Sequence, residues 1–503
     1  MSIPSVNITI ADNGANTSLQ LPLQNVQVVI GCAIGGTVNV PYATTLATKL
    51  QSQFTAGPLV EAGGLVCAAG GTVIAVSAPI VTHGSAKSVQ FTGTGTSAIT
   101  TTLDATNGAW DDAFVVFKVV SGGTIGVSGI QFQISYDAGR HYGPTLNLGT
   151  ANTYALTNLG VTLNFAAGTL VAGDVAQFQT IAPQWNVAGI QAALAALAAS
   201  AYALSGWGSM HIVGPCSASD AATINTTIDN LRTQYVFTRT FLEARDAAAP
   251  TAWGGSGETE SAWMTSVETA FSATAATRIV VAAGHYNTPS AFPNTIVGTP
   301  SFRRNAAWPC AVRRIGVPPQ FTTWRVRDGS LINIAVDPTK DPSDGFIYHD
   351  ERVTPGLDAA RFLSLRTWPL KQGFYCTKDN LMSGVGSQYT ILPYGNVIDI
   401  ASQIGYQTGV EVVGDILRIK PNGRLDSNDA LTIQNMIQQA IDANMTNVGM
   451  ISSAVVAVDQ TANVQSTGDI PVAITITQKV AANSVSETIG LSIPFSAPTG
   501  TGR

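Results

Sequence analysis

PLVEAGGLVCAA at Pro58–Ala69, Gly70-Gly71, and then the apolar TVIAV of Thr72–Val76 form the stretch that decides the reading of this chain. Its pattern is helical despite the Gly63-Gly64 pair, the second glycine pair breaks it, and the run that follows has the composition of a buried strand. Helix, glycine turn and strand make one α/β unit.

Moving outward, the same alternation continues on both sides. An apolar strand is expected at Val26–Ile30 and an Ala/Leu-rich helix over Val187–Leu204. The strand MHIVG (Met210–Gly214) follows, and then a helix that starts near Ser217–Asp220, where Ser and Asp offer caps. FTRTFLEA (Phe237–Ala244) reads as strand, about Glu258–Ala273 as a capped helix, and RIVVAAG (Arg278–Gly284) as strand. The expected fold class is therefore α/β (α+β) multidomain, with a layered α/β core.

Between Ala78 and Pro183 the composition shifts to Thr, Ser, Gly and Val, with pieces such as SVQFTG, FVVFKVV and VAQFQTI and no helical period. This is a β-rich insertion of sandwich or barrel type. Tyr286–Leu381 is rich in Pro, Arg and Trp and reads as an irregular middle domain with short strands such as RFLSLRTW. Two helices are expected beyond it. One lies near Tyr394–Val413 with Val397, Ile398, Ala401, Ile404 and Gly405 on one face; the other runs from Asp426 or Ser427 to Asn444 with a stripe of Ile433, Met436, Ile437, Ala440 and Ile441. Strands are expected at Ile451–Val458, Val472–Thr477 and Val485–Ile493. The resulting division is an N-terminal arm (1–25), a core (26–77 and 184–285), the insertion (78–183), the middle domain (286–381), a C-terminal α/β domain (382–483) and a C-terminal arm (484–503).

Both arms carry strand patterns: Val6, Ile8 and Ile10 alternate with polar residues at one end, as do Val485, Ile489, Leu491 and Ile493 at the other. A lone strand on a tether cannot satisfy both of its edges, so it needs a sheet to join. That sheet belongs either to another copy of the chain, which would make the arms connectors, or to the same subunit. Composition favours partners, since only 11% of the 503 residues are charged against a usual ~25%.

Chemistry has little to rest on. A net charge of −6 argues against a phosphate-binding footprint. The start of the chain has no basic region followed by an apolar run, and no stretch is long and apolar enough to span a membrane. Cys32, Cys67, Cys216, Cys310 and Cys376 lack metal-site spacing and read as buried reduced thiols. Gly254-Gly255-Ser256-Gly257-Glu258 has Glu where a nucleophile elbow needs its last Gly, so it reads as a turn capping the next helix. Gly93-Thr94-Gly95-Thr96 reads as a turn, without the helix a phosphate loop requires. The neighbours His349, Asp350 and Glu351 read as a solvated turn or an inter-subunit salt bridge, because adjacent residues on a strand point to opposite faces. His83, His141, His211 and His285 are isolated in sequence. Arg303, Arg304, Arg313, Arg314, Arg325 and Arg327, interleaved with Trp308 and Trp324, fit an interface with acidic patches of adjacent subunits better than nucleic acid. No catalytic, metal or cofactor site is expected.

The order of features resembles the tail sheath proteins of contractile phages. The resemblance is carried by SVNITI (Ser5–Ile10), GPLVEAGGLVCAAGGTVIAV (Gly57–Val76), GWGSMHIVG (Gly206–Gly214) and IPVAITITQKVAANSVSETIGLSIPF (Ile470–Phe495). Secondary support comes from ISYDAGRHYG (Ile134–Gly143) and LNFAAGTLVAGDVAQFQT (Leu163–Thr180) in the insertion. The resemblance implies a virion subunit, assembled in the host cytoplasm, whose C-terminal domain faces a tail tube. Its arms would join neighbours into stacked rings or a helical array, with the tube, baseplate and tail terminator proteins as partners and no direct contact with nucleic acid. Such an array is metastable, and its contraction drives the tube through a cell envelope without nucleotide. The alternatives are another virion component, such as a tube or capsid protein, and a virion-associated glycan hydrolase. A tube protein would be shorter and mainly β, and a hydrolase would need two carboxylates roughly 5–10 Å apart across a cleft.

Overall fold

β1 (Val26–Gly31) is the centre of the fold in a computed structural model, which describes residues 23–292, 301–331 and 345–482. Every one of its six residues is buried. Around it lie β2 (Tyr42–Thr44), α1 (Ala47–Phe54), α2 (Pro58–Ala68) and β3 (Thr72–Ser77), then, beyond the insertion, α3 (Val187–Ala198), β4 (Ser209–Pro215), α4 (Ala218–Leu231), β5 (Thr240–Glu243), α5 (Glu260–Phe271) and β6 (Ile279–Ala282). The sheet runs β6-β5-β4-β1-β3-β2, parallel except for β2. Val28 pairs with Met210 on one side and Ile74 on the other.

A strand buried on both faces needs apolar residues at every position, which is why β1 and β3 are continuous rather than alternating runs. Val26, Val28 and Ile30 pack with α3, α4 and α5 through Leu194, Ile224, Ile228, Trp263 and Phe271. Val29 faces the other way, onto Leu50 and Phe54 of α1 and Leu59 of α2. Each fully buried aliphatic side chain contributes about 1.5–3 kcal/mol. The start of α4 is fixed by a reciprocal cap: the Asp220 N–H donates to Ser217 Oγ, and the Ser217 N–H donates to Asp220 Oδ2. The chain order makes this a doubly wound sheet that reverses between β1 and β4.

The insertion is mainly two antiparallel sheets face to face, with a short separate pairing of Gly123–Thr124 with Thr169–Leu170 and no closed barrel. The larger carries Gln131–Ser135, Ala113–Ser121 and Val175–Ile181 at its centre; the smaller is Thr153–Leu156, Val161–Phe165 and Ile99–Leu103. Phe117 from the first sheet meets Phe165 from the second with ring centroids 5.3 Å apart. Alternation is clear in VAQFQTI, whose Ala176, Phe178 and Thr180 are buried. In ISYDAG, Asp137 closes the turn by accepting from Ser135 Oγ at 2.7 Å and from the His141 N–H at 2.9 Å.

The segment after β6 forms the hairpin β7 (His285–Pro289) and β8 (Ser301–Asn305), α6 (Ala307–Val312), and a short pairing of Leu365–Arg366 with Tyr375–Cys376. Here one expectation is corrected: Cys310 and Cys376 form a disulfide, and only Cys32, Cys67 and Cys216 are free thiols. α6 and the Tyr375–Cys376 strand pack in one cluster, bringing two cysteines 66 residues apart in sequence together. α7 (Leu392–Val410) and α8 (Ser427–Ile441) then cover one face of the hairpin β9 (Ser453–Val458) and β10 (Val472–Thr477). In α7 the buried stripe uses Ile400 in place of the expected Ile398. No helix among the described residues is long and apolar enough to cross a membrane.

Candidate functional site

The β9–β10 hairpin is half a sheet. Val456, Val458, Ile474 and Ile476 pack toward the helices, while Ser453, Val455, Ala457, Ala473, Thr475 and Thr477 are exposed. Gln438 of α8 guards the outer edge of β9: its Oε1 accepts from the Val456 N–H at 2.9 Å and its Nε2 donates to the Ala454 carbonyl at 3.1 Å. No strand of the described residues pairs with the outer edge of β10. An unpaired edge of this kind is a template for another strand. The same unit exposes Val413, Ile416, Val448 and Val480. The proposed connector residues Val6, Ile8, Ile10, Val485, Ile489, Leu491 and Ile493 lie outside the described residues.

Buried ion pairs join this unit and the insertion to the core. Asp399 of α7 accepts from Arg278 Nη1 at 2.6 and 2.8 Å and from Arg239 Nη1, with all three side chains buried. Burial depresses Arg239 to about 10, against the pull of Asp399 toward the charged form. Arg304 of β8 reaches into the insertion, its Nη1 and Nη2 donating to Asp111 at 2.9 and 2.6 Å. Arg303 grips Asp246 in the same bidentate way, at 2.6 and 2.9 Å.

The arginine cluster is thus not an inter-subunit surface. Arg303, Arg304 and Arg314 are buried, Arg313 donates to the carbonyls of Thr323 and Gly329, and Arg325 pairs with Asp328; only Arg327 of the six is exposed. Their acceptors lie within the chain, far along it for Arg303 and Arg304 and within 16 residues for Arg313 and Arg325. Arg304 does stack on Trp308, 4.6 Å from its centroid, as an internal contact. His349, Asp350 and Glu351 are also corrected: all three are buried, not solvated. The segment is not a strand, so neighbours can converge. His349 sits between Glu260 and Glu351 at 2.8 Å from each, while Asp350 accepts from the Thr367 N–H and Oγ1. His141, His211 and His285 each sit beside a carboxylate, and no metal-binding group of three exists among the described residues. Gly254–Glu258 is a turn, and Thr259 provides the helix cap while Glu258 pairs with Arg245.

Glu61 is the one acidic residue of α2. It is buried on α2, accepting from Ser290 Oγ at 2.9 Å and the Ala291 N–H at 3.0 Å. Burial, reinforced by Asp111, pushes its carboxyl up to about 7 from 4.5. A raised carboxyl pKa means that the folded state holds the proton longer, so this group costs nothing below about pH 4.5 and costs most above about pH 7. Glu61→Gln is therefore expected to gain stability relative to the wild type as pH rises from 4.5 to 8, by on the order of 3 kcal/mol. Urea unfolding of both proteins across that range checks this, and a pH-independent difference would refute it.

Solved structures similar to this one include three sheath proteins. The sheath tail protein from Listeria innocua is 9% identical, with 92% of this chain and 96% of that chain covered and a TM-score of 0.43. The sheath tail protein from Desulfitobacterium hafniense is 11% identical, with 92% and 98% covered and a TM-score of 0.43. The helical sheath of the anti-feeding prophage in its contracted state is 9% identical, with 98% and 100% covered and a TM-score of 0.47. No curated protein sequence matches the chain. Residues 3–380 match the N-terminal domain of the DUF2586 family, three quarters of the sequence, and the chain belongs to that family.

Proposed function

We propose that this protein is the structural subunit of a contractile tail sheath, which polymerises around a tail tube and shortens to drive the tube through the host envelope. The observation that carries the reading is the open edge of β10, on a hairpin whose other edge is already guarded, in a chain whose two ends both have strand patterns. Backbone pairing at a sheet edge gives affinity, and the alternating side chains of the added strand give register. In this reading Val6, Ile8 and Ile10 of one subunit and Val485, Ile489, Leu491 and Ile493 of another supply the missing strands. Residues 382–483 face the tube, and the insertion of residues 78–183 stands on the core away from it. The partners are further copies of the chain, the tail tube, and the baseplate and terminator proteins at the two ends. The subunit carries out no chemical step and works in the virion tail after assembly in the host cytoplasm.

Negative-stain electron microscopy of the purified chain tests this. Hollow tubes or stacked rings are expected, and they should vanish when residues 1–20 or 484–503 are deleted while the shortened chains remain folded by circular dichroism. Monodisperse monomers of the full chain, with and without its tube protein, would overturn the reading.

A further inference from the structure

The seat of the insertion on the core gathers three carboxylates around one arginine. Asp111 and Asp112 come from the insertion, Glu61 comes from α2, and Arg304 reaches in from β8. Arg304 commits both Nη1 and Nη2 to Asp111, at 2.9 and 2.6 Å. Glu61 is held by neutral donors, Ser290 Oγ at 2.9 Å and the Ala291 N–H at 3.0 Å. Asp112 Oδ1 accepts from another neutral group, the Ala182 N–H at 2.9 Å. Glu61, Asp111 and Arg304 are buried, and Asp112 is half-buried. A charge taken out of water needs a partner of opposite sign, and like charges brought together there oppose each other's ionisation. With all three carboxyls ionised, the seam sets three negative charges against the single positive charge of Arg304.

The groups behind the seam do not restore the balance. Glu243, at the end of β5, adds to the repulsion on Asp112 and is itself 2.8 Å from His211 Nε2. Arg303, beside Arg304 on β8, is taken up by Asp246 through two hydrogen bonds. His285 of β7 lies 3.3 Å from Asp246, and burial, with Arg303 and Arg304 nearby, holds its pKa below the ordinary value.

We infer that the seam between core and insertion is a proton-operated joint: Glu61 and Asp112 take up protons as the medium acidifies, which seats the insertion firmly, and lose them as it turns alkaline, which loosens it. Burial and then Asp111 push Glu61 up to about 7 from 4.5 and Asp112 up to about 6 from 3.8, while Arg304 pulls both back. The closed seam therefore binds protons that an opened seam releases. Its tightening is fully present below about pH 4 and is lost as pH rises to about 7. His285 acts in the opposite direction as pH falls, so the effect is read above about pH 5.5. The joint is independent of the assembly reading.

Hydrogen exchange of the full chain at pH 5.5 and pH 8, corrected for the intrinsic pH dependence of amide exchange, tests the inference. Seam amides in residues 108–112, 182–186 and 288–292 are expected to open about tenfold more readily at pH 8 than at pH 5.5. β1 and Ala113–Ser121, at the centres of the two parts, should stay protected over the same interval, so that the parts separate without unfolding. The double variant Glu61→Gln/Asp112→Asn keeps an acceptor oxygen at each site without the charge, and its seam should open at pH 8 no more than the wild type does at pH 5.5. Glu61→Gln alone, the milder change, should remove most of the difference. Equal opening of the wild-type seam at both pH values, or a difference that survives undiminished in both variants, would overturn it.

Discussion

Asp399→Ala is expected to release the C-terminal unit from the core. The substitution removes the carboxylate to which both Arg239 and Arg278 donate in a buried site. Desolvating a charge without a partner costs far more than an exposed salt bridge gains, and breaking such a pair from one side typically costs about 3–5 kcal/mol. Arg278 retains Asp229 at 3.2 Å, which softens the loss on its side, but Asp229 is about half exposed and Arg239 pairs with no second carboxylate among the described residues. Hydrogen exchange should therefore show α7, α8 and the β9–β10 hairpin opening more readily while β1, β3 and β4 keep their protection. Asp399→Asn should cause a smaller loss, because its amide oxygen still accepts. An unfolding midpoint and exchange pattern like those of the wild type would show that packing alone holds the unit.

The second large effect is expected at the seam between core and insertion. Arg304→Leu leaves Asp111 buried without its bidentate donor and removes the positive charge that favours ionised Glu61 and Asp112. A loss of about 3–5 kcal/mol in urea unfolding is expected. The double variant Arg304→Leu/Asp111→Leu should recover most of it, since replacing both members of a buried pair with apolar residues is often near neutral. If the double variant is as unstable as the sum of the singles, the pair is not coupled and the seam is held by its apolar contacts.

How much of this was legible in the sequence follows from the range of the interaction. β1, α2, β3 and the Ser217 cap depend on residues within one turn or one strand of each other, and the sequence periodicity reports them directly. Helix phase was legible to within a residue or two: Ile400 rather than Ile398 faces the core of α7. FTRTFLEA shrank to Thr240–Glu243, because a strand lasts only as long as its neighbours pair with it. What was not legible is polar and distant. Arg304 finds Asp111 193 residues away, and Arg239 finds Asp399 160 residues away. Cys310 and Cys376 meet only because α6 packs over the Tyr375–Cys376 strand. Local composition ranks such residues as surface or interface material, whereas the fold uses them to fasten its parts together. Glu61 shows the same limit, since a single carboxylate in an apolar helix gives no sign that Ser290 and Ala291 will meet it.

Gln438 occupies one margin of the β9–β10 hairpin, and no strand among the described residues pairs with the other. A strand arriving from elsewhere in the sequence can therefore add on one side only. Two molecules joined this way stand in unlike roles, one giving a strand and the other receiving it, so the contact is heterologous rather than twofold. A chain of such contacts has a giving end and a receiving end. Its growth has a polarity, and the proteins that stop it at either end must recognise different surfaces.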